Sequence, residues 1–212
     1  MKSMKTRSLS VKAPKQHRSK KSVERIISAA KMLVVNDGIT AVSTRNLSKV
    51  SEMSVGSIYQ YFPNKHSVIL CLYTEWLGEF TCLFENAFGR IDYYENIDRW
   101  YESLVDDVFF LMKNESIEET KFGSEMITAN SIYPELLNVD QEHRDQAINY
   151  LMSALEFFGI KHSCDQKLFF EYLYELILSF DAINERISGK EIVDLHKSVV
   201  LTALKEHARL NR

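Results

Sequence analysis

At 212 residues, with 45% apolar side chains but only 7 glycines and 3 prolines, the chain has material for a sizeable core and little for turns. No uninterrupted apolar run approaches the roughly 18 residues of a membrane span, and the basic N-terminus lacks the apolar stretch of a signal peptide, so a cytoplasmic protein with no membrane partner is expected. The net charge of −3 hides an asymmetry: residues 1–21 hold eight Lys or Arg and no acid, leaving 18 of the 26 basic side chains to face all 29 acidic ones elsewhere.

That basic arm, residues 1–21, reads as a flexible segment suited to a polyanion. From about Ser22 to Asp37 the apolar residues Val23, Ile26, Ile27, Ala30 and Val34 recur at helical spacing. Asn36-Asp37-Gly38 supplies the stop, since Gly38 is free to take the left-handed turn that ends many helices. Ser43 is placed to cap a short helix from about Thr44 to Val50, with Leu47 and Val50 on its inner face. Ser54 is placed to cap another, with Ile58 and Phe62 one turn apart and inward. Pro63 ends it, because the residue before a proline is pushed out of helical geometry. Asn64 can cap a long helix running to about Phe88.

Four or five further amphipathic segments follow, at roughly 96–113, 116–132, 140–158, 165–187 and 190–208, the last two hinged at Ser188-Gly189. No segment alternates as a strand would. The expected fold is all-α: a three-helix domain over 22–68, then a larger helical domain over 69–212. The long helix starting near Lys65 would belong to both. The three cysteines, Cys71, Cys82 and Cys164, have no CxxC spacing. On one helix Cys71 and Cys82 would lie roughly 16 Å apart, too far for a disulfide, so buried reduced thiols are expected.

Two short helices joined by a tight turn, the second exposing polar and aromatic side chains, describe a helix-turn-helix. Leu47, Val50, Ile58 and Phe62 would clamp the pair onto the first helix. Val55, Gly56, Ser57, Tyr59, Gln60 and Tyr61 form the outward set. A recognition helix of this kind meets base edges through its first residues. No acid occurs between Met53 and Glu75, where a carboxylate would face phosphates.

The run "ISAAKMLVVNDGITAVSTRNLSKVSEMSVGSIYQYFPNKHSVILCLY" closely resembles the DNA-binding domain of the tetracycline-repressor (TetR) family of transcriptional regulators. Its most specific part is Ser54, Gly56, Ile58, Tyr59, Tyr61, Phe62 and Lys65, which follow the pattern S-x-G-x-[LI]-Y-x-[HY]-F-x-x-K. The resemblance implies a double-stranded DNA partner and assigns roles. Gly56 would let the helix approach the duplex closely. Ser54, Thr44, Tyr59, Tyr61 and Lys65 look like phosphate contacts, which position without reading sequence, and Arg45 joins the DNA-binding set. Ser57 and Gln60 are best placed for base edges, where Gln can bond adenine twice. Two departures stand out: Glu52 occupies a turn position where the family often has glycine. Val55 stands where a lysine or polar residue is common, and offers an apolar contact to a thymine methyl.

Behind this domain the resemblance implies a homodimer and a small effector. Candidate pocket residues are Trp76, Phe80, Trp100, Leu104, Phe109, Phe122 and Met126, an aromatic load that favours an apolar or aromatic effector over a sugar or phosphate. Candidate interface residues are Phe169, Tyr172, Leu173, Leu176, Phe180, Val200 and Leu204, from two helices that could pair with their copies as a four-helix interface. Such a dimer would be a repressor released from a pseudo-palindromic operator by effector. The alternative is a DNA-binding protein of the same fold without an effector, acting in chromosome organisation or with a protein partner. An enzyme is disfavoured: there is no G-x-G-x-x-G, phosphate-binding GKS or GKT loop, H-E-x-x-H or E-x-x-H. His162-Ser163-Cys164-Asp165 reads as an incidental polar loop, so no metal and no cofactor are expected.

Overall fold

A computed structural model describes residues 17–113, 116–161, 165–186 and 190–211, with the side chains at 17–18, 112–113 and 178–190 outside the description. The protein is all-helical, and among the described residues there is no strand. In chain order the helices are α1 (His17–Asp37), α2 (Thr44–Ser51), α3 (Val55–Tyr59), α4 (Lys65–Gly89), α5 (Ile97–Lys113), α6 (Ile117–Ile132), α7 (Leu137–Phe157), α8 (Gln166–Arg186) and α9 (Lys190–Leu210). Three short 3-10 turns, Ile39–Ala41, Ile91–Tyr93 and Pro134–Leu136, connect some of them.

Most boundaries are set by local chemistry. Asn64 accepts from Ser67 N–H through Oδ1 at 2.9 Å, and Ser67 Oγ donates back to Asn64 O at 2.7 Å, closing the start of α4. Asn96 caps α5 through Arg99 N–H at 3.1 Å. Ser116 and Glu119 form a reciprocal capping box before α6, Ser116 N–H donating to Glu119 at 2.6 Å and Glu119 N–H to Ser116 Oγ at 3.2 Å.

Four local expectations change. Helix α1 is already helical at His17, five residues before the expected Ser22, as suits the good helix formers of residues 17–21. Helix α3 ends at Tyr59, before Pro63, and the chain tightens into a turn in which Tyr61 N–H and Phe62 N–H both donate to Ile58 O. Val50 is 37% exposed; Ser51, one full turn past Leu47, takes the buried place and donates its hydroxyl to Leu47 O at 2.6 Å. Cys82 is exposed on α4, since it lies about 140° around the helix from the buried Leu77.

The chain divides into two units, one made of residues up to Glu75 together with Lys121–Leu136, the other of Trp76–Thr120 with Leu137 onwards. The first unit buries Ile26, Ala30, Val34, Leu47 and Ile58 on its three N-terminal helices and Phe62 in the turn after them. Val68, Ile69 and Leu72 of α4 and Met126 and Ala129 of α6 are buried in it as well. Glu125 ties α6 to the corner after α1, accepting from Ile39 N–H at 2.6 Å. Gly38 ends α1 with φ 84°, and a side chain there would also meet the Glu125 carboxylate at 3.3 Å. His66 pairs with Glu135, and its ring meets Tyr133 edge-on with centroids 5.5 Å apart.

The second unit centres on α5, whose Trp100, Tyr101, Leu104 and Val105 are buried. Trp100 Nε1 donates to Ala87 O at 2.9 Å, fixing α5 to the end of α4. Lys205 reaches Glu102 at 2.6 Å and Lys197 pairs with Asp106, which sets the register of α9 on α5. Helix α4 is long and apolar enough to cross a membrane by length and composition. However, Val68, Ile69, Leu72, Tyr73, Leu77, Phe84 and Ala87 on it are buried in the protein, as in a core helix.

Candidate nucleic-acid interface and apolar cavity

The tip of the first unit is built by two serine caps. Ser43 accepts from Asn46 N–H at 3.2 Å to open α2, and Ser54 accepts from Ser57 N–H at 3.1 Å to open α3. Between them, Ser48 Oγ donates to Met53 O at 2.6 Å and closes the turn. Glu52 ends α2 in the left-handed conformation, φ 52° and ψ 30°, the geometry usually given to glycine. Its carboxylate accepts from Arg25 of α1 at 2.8 Å. The family departure noted at this position therefore keeps the tight turn and adds a surface ion pair.

The inward side chains of the tip, Leu47, Ile58 and Phe62, are fully buried. The outward side is open: Ser54, Val55, Gly56, Tyr59 and Gln60 are exposed, while Ser57 and Tyr61 are half-buried. Arg45 and Lys49 are exposed on α2, and Thr44 is half-buried at its start. Lys65 is half-buried with Nζ 5.6 Å from the centre of the Tyr133 ring. All ten candidate DNA-contacting residues lie on α2, on α3 with its flanking cap and turn residues, or at the start of α4. A Cβ on Gly56 would meet only Ser54 Oγ, at 4.0 Å. The chain's own packing does not require glycine there.

The candidate pocket residues divide between the two units. Phe122, with Lys31 Nζ 5.8 Å from its ring centre, and the buried Met126 lie on the part of α6 that belongs to the first unit. Trp76 and Phe80 form a half-buried edge-to-face pair on α4, 5.6 Å apart. Trp100 is in the core of the second unit. Only Leu104 and Phe109 line the cavity found in that unit. Its volume is about 30 Å³, enough for two or three waters. Phe84 of α4, Ile148 and Leu151 of α7, Phe170 and Tyr174 of α8 and Val200 of α9 close it. Tyr174 supplies the one hydroxyl in the lining. Leu173, expected at an interface, forms part of the α8 wall. Nothing in α7 singled out Ala147, Ile148 or Leu151.

Of the candidate interface residues, Leu173, Val200 and Leu204 are buried and line this same cavity. Tyr172 is 67% exposed, and Phe169 and Leu176 are half-buried. Phe180 falls among the side chains outside the description, and Ser188-Gly189 and His162–Cys164 lie outside the described residues. Other exposed apolar side chains on α8 and α9 are Leu168, Leu195, Val199 and Leu210.

Three histidines of the second unit sit behind aromatic rings that line the cavity. His143 meets Tyr174 at 6.1 Å, His196 meets Phe109 at 5.9 Å, and His207 meets Phe170 at 5.5 Å while stacking on Phe169 at 4.0 Å. Burial holds all three below the ordinary imidazole range, although Asp140 pulls His143 the other way.

Residues 26–70 match the sequence profile described as bacterial regulatory proteins, tetR family. No match was found among the curated proteins. Solved structures are similar across nearly the whole chain. A TetR-family transcriptional regulator from Haemophilus influenzae is 16% identical, with 89% of this chain and 98% of that one covered and a TM-score of 0.66. The fatty acid degradation regulator FadR from Bacillus halodurans is 16% identical, covering 91% and 97%, with a TM-score of 0.65. RolR in complex with resorcinol is 14% identical, covering 90% and 94%, with a TM-score of 0.56. At such identities the structural likeness speaks to the fold, and the matched segment speaks to the DNA-binding domain. Residues 26–70 thus carry the DNA-binding domain of the tetR regulatory family, and the chain as a whole has the all-helical fold of solved TetR-family regulators.

Proposed function

We propose that the protein is a cytoplasmic, homodimeric repressor that leaves a pseudo-palindromic operator when a small apolar effector enters the second unit. The observation that carries the reading is the two-sided tip: a fully buried inner side, and an outer side open to solvent with no acid from Ser54 to Thr74. In this reading Ser57 and Gln60 touch base edges and Val55 meets a thymine methyl. Thr44, Arg45, Ser54, Tyr59, Tyr61 and Lys65 hold the sugar-phosphate backbone. Open space at Gly56 supports close approach of a duplex.

The exposed Leu168, Tyr172, Leu195 and Val199 on α8 and α9 support pairing of two copies through those helices. Two-fold symmetry would then separate the recognition helices by about 34–36 Å, one turn of DNA. The apolar cavity supports an effector that prefers one conformer over another and so shifts their populations. RolR carries resorcinol and FadR is named for fatty acid degradation, so the fold accommodates such regulators.

Selection of bound DNA from a random pool tests the reading. A palindromic consensus with half-sites one helical turn apart is expected, and a pool with no enriched sequence at moderate salt overturns it. A ligand screen by thermal shift that never moves the melting temperature would leave DNA binding in place and remove the effector.

A further inference from the structure

Between Asp37 and Glu75 the sequence holds a single acid, Glu52, against Arg45, Lys49 and Lys65. That acid stands at the turn of the helix-turn-helix, two residues before the Ser54 cap of α3, so the two Cα atoms are at most about 7 Å apart. Its side chain is 80% exposed. The left-handed backbone at Glu52 and the bond from Ser48 Oγ to Met53 O at 2.6 Å set the direction in which that side chain leaves the turn. A phosphate held by Ser54 would feel the carboxylate, since charges are screened only beyond about 10 Å at 0.1 M salt.

The countercharge comes from another helix. Arg25 of α1 donates from Nη2 to Glu52 Oε2 at 2.8 Å, across 27 residues of sequence. Its neighbour Ile26 is fully buried, which anchors this turn of α1 in the first unit. Arg45 and Lys49 are exposed on α2 and have no acid partner among the described residues. The tip therefore keeps its own cations open, and its one acid is covered from α1. Both partners of the Arg25–Glu52 pair are more than half exposed, so the pair contributes little to folding.

We propose that Arg25 is a positioning residue for DNA binding: it holds and neutralises the Glu52 carboxylate, so that the α2–α3 tip meets phosphates without a repelling charge. The proposal rests on the reading of that tip as the DNA-contacting surface. Arg25 acts through Glu52 and touches no nucleotide. The charges of the pair sum to zero. Arg25→Gln leaves one negative charge beside the duplex, Glu52→Gln leaves one positive charge, and the double variant restores neutrality.

The test is anisotropy titration of these three variants, Arg25→Lys and the unsubstituted chain against an operator enriched from a random pool, with a duplex of unrelated sequence as a second probe. At about 0.1 M salt Arg25→Gln should bind at least about fivefold more weakly, and Glu52→Gln at least about threefold more tightly. The double variant and Arg25→Lys should fall within about twofold of the unsubstituted chain. The differences should shrink at about 1 M salt, where screening sets in at about 3 Å, while urea midpoints stay nearly unchanged. A double variant as weak as Arg25→Gln means that Arg25 itself grips the duplex, and overturns the proposal. Unaltered affinity in either Arg25→Gln or Glu52→Gln overturns it too, so that Glu52→Gln decides alone if Arg25→Gln does not fold. An unsubstituted chain that binds neither duplex overturns the reading of the tip, and the proposal with it.

Discussion

The α2–α3 tip of the first unit and the cavity of the second are built on opposite plans. In the tip, short-range rules place every side chain: two serine caps, one turn and a five-residue helix leave Leu47, Ile58 and Phe62 inside and Tyr59 and Gln60 outside. In the cavity no such rule operates, because its wall is drawn from α4, α5, α7, α8 and α9, residues as far apart as Phe84 and Leu204. A surface that must present a fixed set of groups to a partner is specified locally. A cavity is specified by how distant helices meet.

That contrast can be broken, and the largest effect is expected at the buried side of the tip. Phe62→Ala should cost about 3–5 kcal/mol by urea unfolding, since a fully buried ring is removed from a short helical corner. A cost under about 1 kcal/mol would mean that the tip is not anchored as described. On the outer side the expectation inverts. Gly56→Leu should leave unfolding unchanged or slightly improved, because a Cβ there has open space and leucine favours a helix by up to about 1 kcal/mol over glycine. Yet anisotropy titration of the selected operator should show affinity falling at least about tenfold, and unaltered affinity would separate Gly56 from the DNA-facing surface. Arg45→Ala should lower affinity and reduce the slope of log affinity against log salt by about 0.9, the value for one phosphate contact.

The second unit should answer to pH. His143, His196 and His207 are held below the ordinary imidazole range when folded, so the unfolded chain binds protons first as pH falls. Stability conferred by their neutral forms is complete above about pH 6.5, and is lost as pH falls from there through the folded values. The decline has a slope of about 1.4 kcal/mol per pH unit for each proton taken up. Melting temperatures at pH 7.5 and 5.0 should show this, and His207→Phe should flatten the profile; an unchanged profile in that variant would remove His207 from the account. The smallest effect belongs to the turn. Glu52→Gly relieves the left-handed strain of about 1 kcal/mol but loses the exposed pair with Arg25, worth about 0–1 kcal/mol, so the midpoint of unfolding should move little and upward.

The same contrast explains what was legible in the sequence. The caps at Ser43, Ser54, Asn64, Asn96 and Ser116 are local, and the helices begin where those residues place them. The helix-turn-helix was legible for the same reason, since the pattern from Ser54 to Lys65 is contiguous. Val50 was misplaced because helical spacing alone cannot say that a serine with a satisfied hydroxyl will take the buried position next to it. The cavity wall was harder still. Phe122 and Trp100 have the composition of a pocket, but which aromatic rings face a cavity depends on contacts between helices. Leu173 and Val200 carry the stripe of an interface, yet their side chains face the interior of their own unit.

The hydrogen bond from Ile39 N–H to Glu125 has a practical meaning for anyone who would transplant this reading head. It makes the first unit discontinuous in the gene: residues up to Glu75 are completed by 121–136, encoded well downstream. A hybrid regulator that exchanges only the N-terminal segment would leave Gly38, Ile39 and His66 matched to a foreign 121–136 segment. Exchange of the two segments together is the cut that keeps the unit whole.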